Sequence, residues 1–156
     1  MPTRRSFLLQ TTSLVAFATT GRLWPPLTRP KTLPLLTVYK TSSCHCCAKW
    51  VEHVRASGFK VVVHDVDSVD PVKDRLGVPR AMRSCHTAQV ADYIVEGHVP
   101  ASDIQRVLDE HPKVMGLAVP GMPMGTPGMD DAGMTKDPYQ VLAFQASGES
   151  KVYAKH

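Results

Sequence analysis

Cys44-His45-Cys46-Cys47 places three thiols within four residues, and a fourth sits at Cys85 in Ser84-Cys85-His86. These are the only cysteines of the 156-residue chain. A disulfide needs Cα atoms about 4.4–6.8 Å apart with converging Cβ vectors, which the adjacent pair Cys46/Cys47 cannot reach without a distorted peptide. Clustered in this way, the thiols point to a metal or redox site rather than to structural staples. Two chemistries compete. Cys44 and Cys47 have the C-x-x-C spacing of thiol–disulfide exchange, and they would be the catalytic pair of such an enzyme. A third thiolate beside them would invite mispairing, whereas soft-metal binding uses every added thiolate.

Thiolates and thioethers select Cu(I) over hard cations. The chain offers both, since residues 115–134 carry five of its seven methionines. Zinc in a Cys₃His or Cys₄ set is chemically open, but zinc has no use for methionines. Cys46 and Cys47 diverge by about 100° on a helix, which suits bridging thiolates and more than one copper ion. The expected metal ligands are therefore Cys44, Cys46, Cys47 and Cys85, with His86 and Met122 as supplementary donors. His45 and His98 read as structural or solvated, and His53, His64, His111 and His156 as surface or strand residues. Met82, Met115 and Trp50 read as packing residues, and Met129 and Met134 as parts of an exposed segment. No paired carboxylates, Ser-His-Asp set or phosphate-binding glycine loop is present.

The elements around the thiols predict how they are positioned. Residues 35–39 read as a buried strand, followed by turn residues and a helix starting near Cys46. Cys47, Trp50, Val51 and Val54 follow the i, i+3, i+4, i+7 spacing of one buried face, and Gly58 closes the helix. Thiols at this helix start meet the positive end of its dipole and unpaired N–H groups, which lowers a thiol pKa. Valine-rich residues 60–66 read as a second strand. Asp70-Pro71 starts a short helix, with the Asp70 carboxylate as its cap, Val72 and Leu76 inward and Gly77 at its end. Residues 87–91 and 93–96 read as two strands, and Pro100 opens a helix with Ile104, Val107 and Leu108 on one face.

Residues 115–134 are too rich in Gly, Pro and Met for helix or central strand. Residues 139–144 and 151–154 read as a C-terminal β-hairpin. The order β-α-β-α-β-β-α implies an α/β layer structure, and it is the order of a thioredoxin-like fold. Such a fold brings the loop before the third strand to the start of the first helix, so Cys85 would share one site with the C-x-C-C motif. Thioredoxins usually place a proline in that loop, and here Ser84-Cys85-His86 stands instead.

The N-terminus carries Thr3-Arg4-Arg5-Ser6-Phe7-Leu8, an apolar stretch and Ala16-Phe17-Ala18. This is the pattern of a twin-arginine export signal over residues 1–18. Leu9 stands where a lysine often completes the pattern, which leaves the general secretory route as the alternative. The apolar run is well below the roughly 18–20 residues that span a bilayer. Residues 19–34, with four prolines, read as a tether, leaving 35–156 as one domain. The formal charge is +4, two of it in the signal, and the remaining charge is scattered. Neither a nucleic-acid surface nor a membrane span in the mature chain is expected.

Five segments resemble one family. They are Val38-Tyr39-Lys40-Thr41-Ser42-Ser43-Cys44-His45-Cys46-Cys47-Ala48-Lys49-Trp50, Gly77-Val78-Pro79, Ser84-Cys85-His86-Thr87-Ala88, Glu96-Gly97-His98-Val99-Pro100 and Gly116-Leu117-Ala118-Val119-Pro120-Gly121-Met122-Pro123. In this order they span almost the whole mature chain, and they resemble the CopG-like periplasmic copper-resistance proteins. The resemblance implies a thioredoxin-like fold, copper bound through the C-x-C-C motif and the later cysteine, and a role in copper tolerance. The family's x position is often glycine, where this chain has His45. The expectation is a periplasmic copper-binding protein with a thiolate-rich Cu(I) centre that could interconvert copper oxidation states. A thiol–disulfide oxidoreductase and a chaperone delivering copper to other periplasmic copper-handling proteins are the alternatives.

Overall fold

The computed structural model describes residues 32–130, 133 and 135–156. The export signal, most of the tether and Met134 lie outside the described residues. β1 (Leu36–Lys40) alternates buried and half-buried positions, as a strand with one face on a core must. It is followed by α1 (His45–Ala56), whose buried residues are Cys47, Trp50, Val51 and Val54. The end of α1 is a Schellman closure. Gly58 at φ +94° donates to the Arg55 carbonyl (2.9 Å), and Phe59 N–H reaches Val54 (3.1 Å).

β2 (Val61–Asp65), α2 (Asp70–Arg75) and a single 3-10 turn (Arg80–Met82) come next. β3 (Thr87–Val90), β4 (Tyr93–Glu96) and α3 (Ala101–Glu110) then complete the anticipated β-α-β-α-β-β-α order. Asp70 is not the cap of α2: Val69 occupies that position, and no side chain caps the helix. Asp70 is the first helical residue, and its N–H is taken by the Ser68 hydroxyl at 3.3 Å.

β5 (Gly116–Ala118), β6 (Gln140–Phe144) and β7 (Ser150–Lys155) extend one sheet to seven strands, in the order β2-β1-β3-β4-β5-β6-β7. β1/β2 and β4/β5 run parallel, and the other neighbours antiparallel. The hairpin expected at the C-terminus is therefore β6–β7. β5 corrects the expectation that no central strand could form after residue 115. Its three residues are all buried between β4 and β6. Gly116 is what the close pass of β4 requires, because a Cβ there would overlap the Ile94 carbonyl.

Successive residues of β4, β5 and β6 contribute to two different apolar clusters, which places the clusters on opposite faces of the sheet. The larger joins Leu36, Val38, Val95, Leu117 and Val141 to Trp50 and Val54 of α1 and Ile104 and Val107 of α3. The smaller holds Val78, Met82, Ile94, Ala118 and Phe144. Trp50 also ties α1 to the β4–α3 connection through its indole N–H, which donates to the Val99 carbonyl at 2.8 Å. Leu117 is fully buried on the larger side. Leu117→Ala should therefore cost about 2–5 kcal/mol of unfolding free energy in urea. A change within about 0.5 kcal/mol, as for an ordinary surface site, would show that β5 carries no core.

Candidate metal centre

Cys44 is the N-cap residue of α1, and Cys46 and Cys47 lie in its first turn. Cys85 arrives in the stretch between the 3-10 turn and β3. The two meet because β1 and β3 are antiparallel neighbours with Tyr39 opposite Thr87. The sulfurs of Cys44, Cys46, Cys47 and Cys85 all lie within 4.8 Å of one another. Four free thiols are not what the structure holds. Cys44 and Cys47 form a disulfide with Cα atoms 5.3 Å apart, while Cys46 and Cys85 are free. The C-x-x-C spacing across a helix start meets the distance a disulfide needs, whereas the adjacent Cys46/Cys47 pair is unbonded. Cys46 Sγ lies 3.6 Å from Cys44 Sγ.

Beneath the sulfurs are two fully buried imidazoles, His86 and His98. With Cys47 and Cys85 they form a second group of four donors, again within 4.8 Å of one another. His98 Nδ1 is 2.7 Å from the Pro127 carbonyl. A carbonyl only accepts, so Nδ1 carries the proton and the Nε2 lone pair faces Cys85 Sγ at 3.1 Å. His86 Nδ1 lies 3.4 Å from the same sulfur, and its ring packs on Trp50 with centroids 4.3 Å apart. His86 Nε2 is buried without a hydrogen-bond partner.

The Gly/Pro/Met-rich segment brackets this end of the molecule. Ser84 donates its hydroxyl proton to the Gly121 carbonyl. Six residues on, Pro127 holds His98, and Gly128 lies flat on the first turns of α1. A Cβ at Gly128 would come within 2.7 Å of the Cys46 carbonyl and 2.9 Å of the Trp50 nitrogen.

Two solved structures resemble this chain over nearly their whole length. "Copper resistance protein copG- Form 1" is 46% identical, covering 79% of this chain and 98% of its own, with a TM-score of 0.72. "Copper resistance protein copG- Form 2" is 44% identical, covering 80% and 98%, with a TM-score of 0.73. This chain belongs to the CopG family of copper resistance proteins. The family model described as "Protein of unknown function, DUF411" matches residues 82–129, which run from the 3-10 turn before Cys85 to the loop residue after Gly128. A search of curated proteins finds no match.

Within this CopG-family site, five of the six expected ligand residues converge: the four cysteines and His86. Met122 stands apart, with 52% of its surface exposed. His98 is the residue that sequence reasoning passed over. Its signal was position: it follows β4 by two residues, and β4 is the hairpin partner of the strand that Cys85 leads into. His45 is exposed. Two further histidines have specific partners. His53 accepts the first N–H of α3, from Ala101 at 3.1 Å, and His156 pairs with Asp103 at 2.7 Å.

Burial governs the electrostatics. It holds His86 well below its ordinary pKa, helped by His98 and the positive charges of Lys73 and Lys40. His98 is also lowered by burial, against the opposing pull of the Pro127 carbonyl. Both rings are therefore neutral donors. The thiol acidity expected of the helix start does not extend to Cys85. Burial first, and the neighbouring Cys46 second, push its thiol up to about 12. In metal-free protein with the disulfide intact, alkylation of Cys85 by iodoacetamide should therefore keep rising about tenfold per pH unit from pH 8 to 11, tracking the thiolate fraction. Mass spectrometry of the modified peptide reads the rate, and a plateau near pH 9 would mark an ordinary thiol.

Proposed function

We propose that this protein is a periplasmic copper-binding protein of copper resistance, and that its cargo is Cu(I). The observation that carries this reading is the pair of overlapping donor sets. An all-sulfur group (Cys44, Cys46, Cys47, Cys85) lies beside a mixed group (Cys47, Cys85, His86, His98), and the two share Cys47 and Cys85. Thiolates are the ligands that select Cu(I), and neutral imidazole serves both copper oxidation states. The partnerless His86 Nε2 is a buried nitrogen that a ligand would satisfy. Two sets sharing two sulfurs favour more than one ion with bridging thiolates. Met122, exposed in the structure, would become a supplementary donor only if its loop turned it toward the sulfurs. The copper-resistance names of the relatives agree with this reading.

The β-α-β-α-β-β-α core is best read as a thioredoxin-like domain extended by β5 and the β6–β7 hairpin. The signal at residues 1–18 would deliver the mature chain, tether 19–34 and domain 35–156, to the periplasm. No described helix is long and apolar enough to cross a membrane. Other periplasmic copper-handling proteins are the expected partners.

The Cys44–Cys47 bond gives the centre a two-electron couple. With the pair reduced, two Cu(II) ions and two thiols would yield two Cu(I), one disulfide and two protons, so the protein would interconvert copper oxidation states. Binding through all four sulfurs and possession of the disulfide exclude one another. Capacity for copper is thus tied to the redox state of one pair.

The same bond favours a second reading, a thiol–disulfide oxidoreductase. Cys44 is partly exposed, as an attacking thiol must be, and Cys47 is buried, as suits its resolving partner. Delivery of Cu(I) to a partner without redox change is a further variant of the first reading.

Reduced protein titrated anaerobically against a competing Cu(I) chelator should bind more than one Cu(I) per chain. Cys85→Ser should lower that number, and an unchanged number would remove Cys85 from the site. When Cu(II) is added to the reduced, metal-free chain, two chelator-trapped Cu(I) should appear for each Cys44–Cys47 disulfide formed, and Cys47→Ser should lose this product. Rapid insulin reduction by metal-free protein, indifferent to added copper, would move the assignment to the second reading.

A further inference from the structure

Glu96 is fully buried at the end of β4, and Lys73 of α2 is buried against it. Neither residue belongs to the donor sets. Lys73 Nζ donates to Glu96 Oε1 and, at 2.8 Å, to Thr87 Oγ1. Thr87 in turn donates to Glu96 Oε2 at 2.6 Å. This closed ring ties α2, β3 and β4 together. One further donor reaches the carboxylate: the backbone N–H of Ser84, 2.6 Å from Oε1.

Ser84 immediately precedes Cys85, in a stretch without regular secondary structure between Met82 and Thr87. On the other side of Cys85, the His86 carbonyl accepts the Gly97 N–H at 3.0 Å. Cys85 is therefore pinned from both sides by consecutive residues of one strand end. Gly97 permits the approach, because a Cβ there would lie 2.7 Å from the Val119 carbonyl and closer still to Ser84. The Ser84 side chain carries the restraint onward to Gly121 and the methionine loop.

We propose that Glu96 is the positioning residue of the centre, its carboxylate fixing the Ser84 N–H and hence the place of the Cys85 sulfur among its neighbours. A buried ion pair is by itself weak evidence of a gain in stability. Replacing a buried ion pair with apolar residues of similar size is often neutral or stabilising. What apolar residues cannot supply is an acceptor for the Ser84 N–H. The copper role of Cys85 rests on the function proposed above, whereas its placement does not.

The test is Lys73→Met/Glu96→Met in the disulfide-intact, metal-free chain, read by urea unfolding and by Cys85 alkylation with iodoacetamide at pH 8. The expected result is cooperative unfolding at a somewhat lowered midpoint, because the Thr87 hydroxyl and the Ser84 N–H lose their partners, with alkylation faster by about tenfold as the loop opens locally. After reduction, the same variant should bind less Cu(I) than the parent. Alkylation within about twofold of the parent, less than the 1.4 kcal/mol that a factor of ten represents, would overturn the proposal. Should the double variant fail to unfold cooperatively, Glu96→Asp decides, since it keeps the charge but is one methylene short of Ser84. Faster alkylation in a cooperatively folded Glu96→Asp protein supports positioning, and parental alkylation overturns it. The alkylation is measured without metal, so a parent chain that takes up no Cu(I) would defeat the copper reading alone.

Discussion

Because Tyr39 pairs with Thr87 across the β1–β3 ladder, the chain leaving β1 and the chain arriving at β3 meet at one end of the sheet. Everything at the site follows from that register. The first exit leads through four residues into α1 and delivers Cys44, Cys46 and Cys47. The second path delivers Cys85 and His86. β4 pairs with β3 so that Glu96 faces Thr87, and the residues after it, Gly97 and His98, turn back over the same end. A slip of one residue in either ladder would reverse which side chains face the core. The sulfur cluster and the apolar core are thus specified by the same pairing.

The polar groups at this end are buried, and burial decides their protonation. In metal-free protein the two imidazoles are neutral and the Cys85 thiol keeps its proton, donating it toward the His98 lone pair. A soft cation at this site would displace that proton and meet sulfur and nitrogen together. Metal binding and proton release are then one event. The charged pair Lys73–Glu96 lies one layer away, mutually satisfied, where it holds backbone rather than cargo.

Much of this was legible in the chain. The buried face of α1 was read residue for residue, because Cys47, Trp50, Val51 and Val54 repeat at helical spacing. The C-terminal hairpin was legible from two apolar runs around Ala146-Ser147-Gly148-Glu149. β5 was not, because a three-residue strand buried on both faces has no alternation to read, and its Gly/Pro/Met surroundings argue for loop. His98 and Glu96 were hidden for a related reason. Each is a polar residue whose role depends on which strand lies beside β3, and that is decided by pairing across the sheet. Lys73 on a two-turn helix looks like a solvated charge until α2 is packed. The Cys44–Cys47 bond was visible as a spacing, but the crowd of neighbouring thiols obscured it.

Cys47 has the most constrained position of the four cysteines, and it links the features of the site. Its side chain belongs to the buried face of α1, so the helix cannot turn to hide or expose it without lifting Trp50 and Val54 from the core. Its sulfur belongs to the disulfide and to both donor groups. Forming the Cys44–Cys47 bond therefore removes two thiolates from the all-sulfur set and one from the mixed set at once. Cys46 and Cys85 keep their thiols in either state, and His98 keeps its lone pair on Cys85. The oxidised site is thus a partial donor set. In the proposed reading, the redox state of a single pair sets how much copper the site can hold.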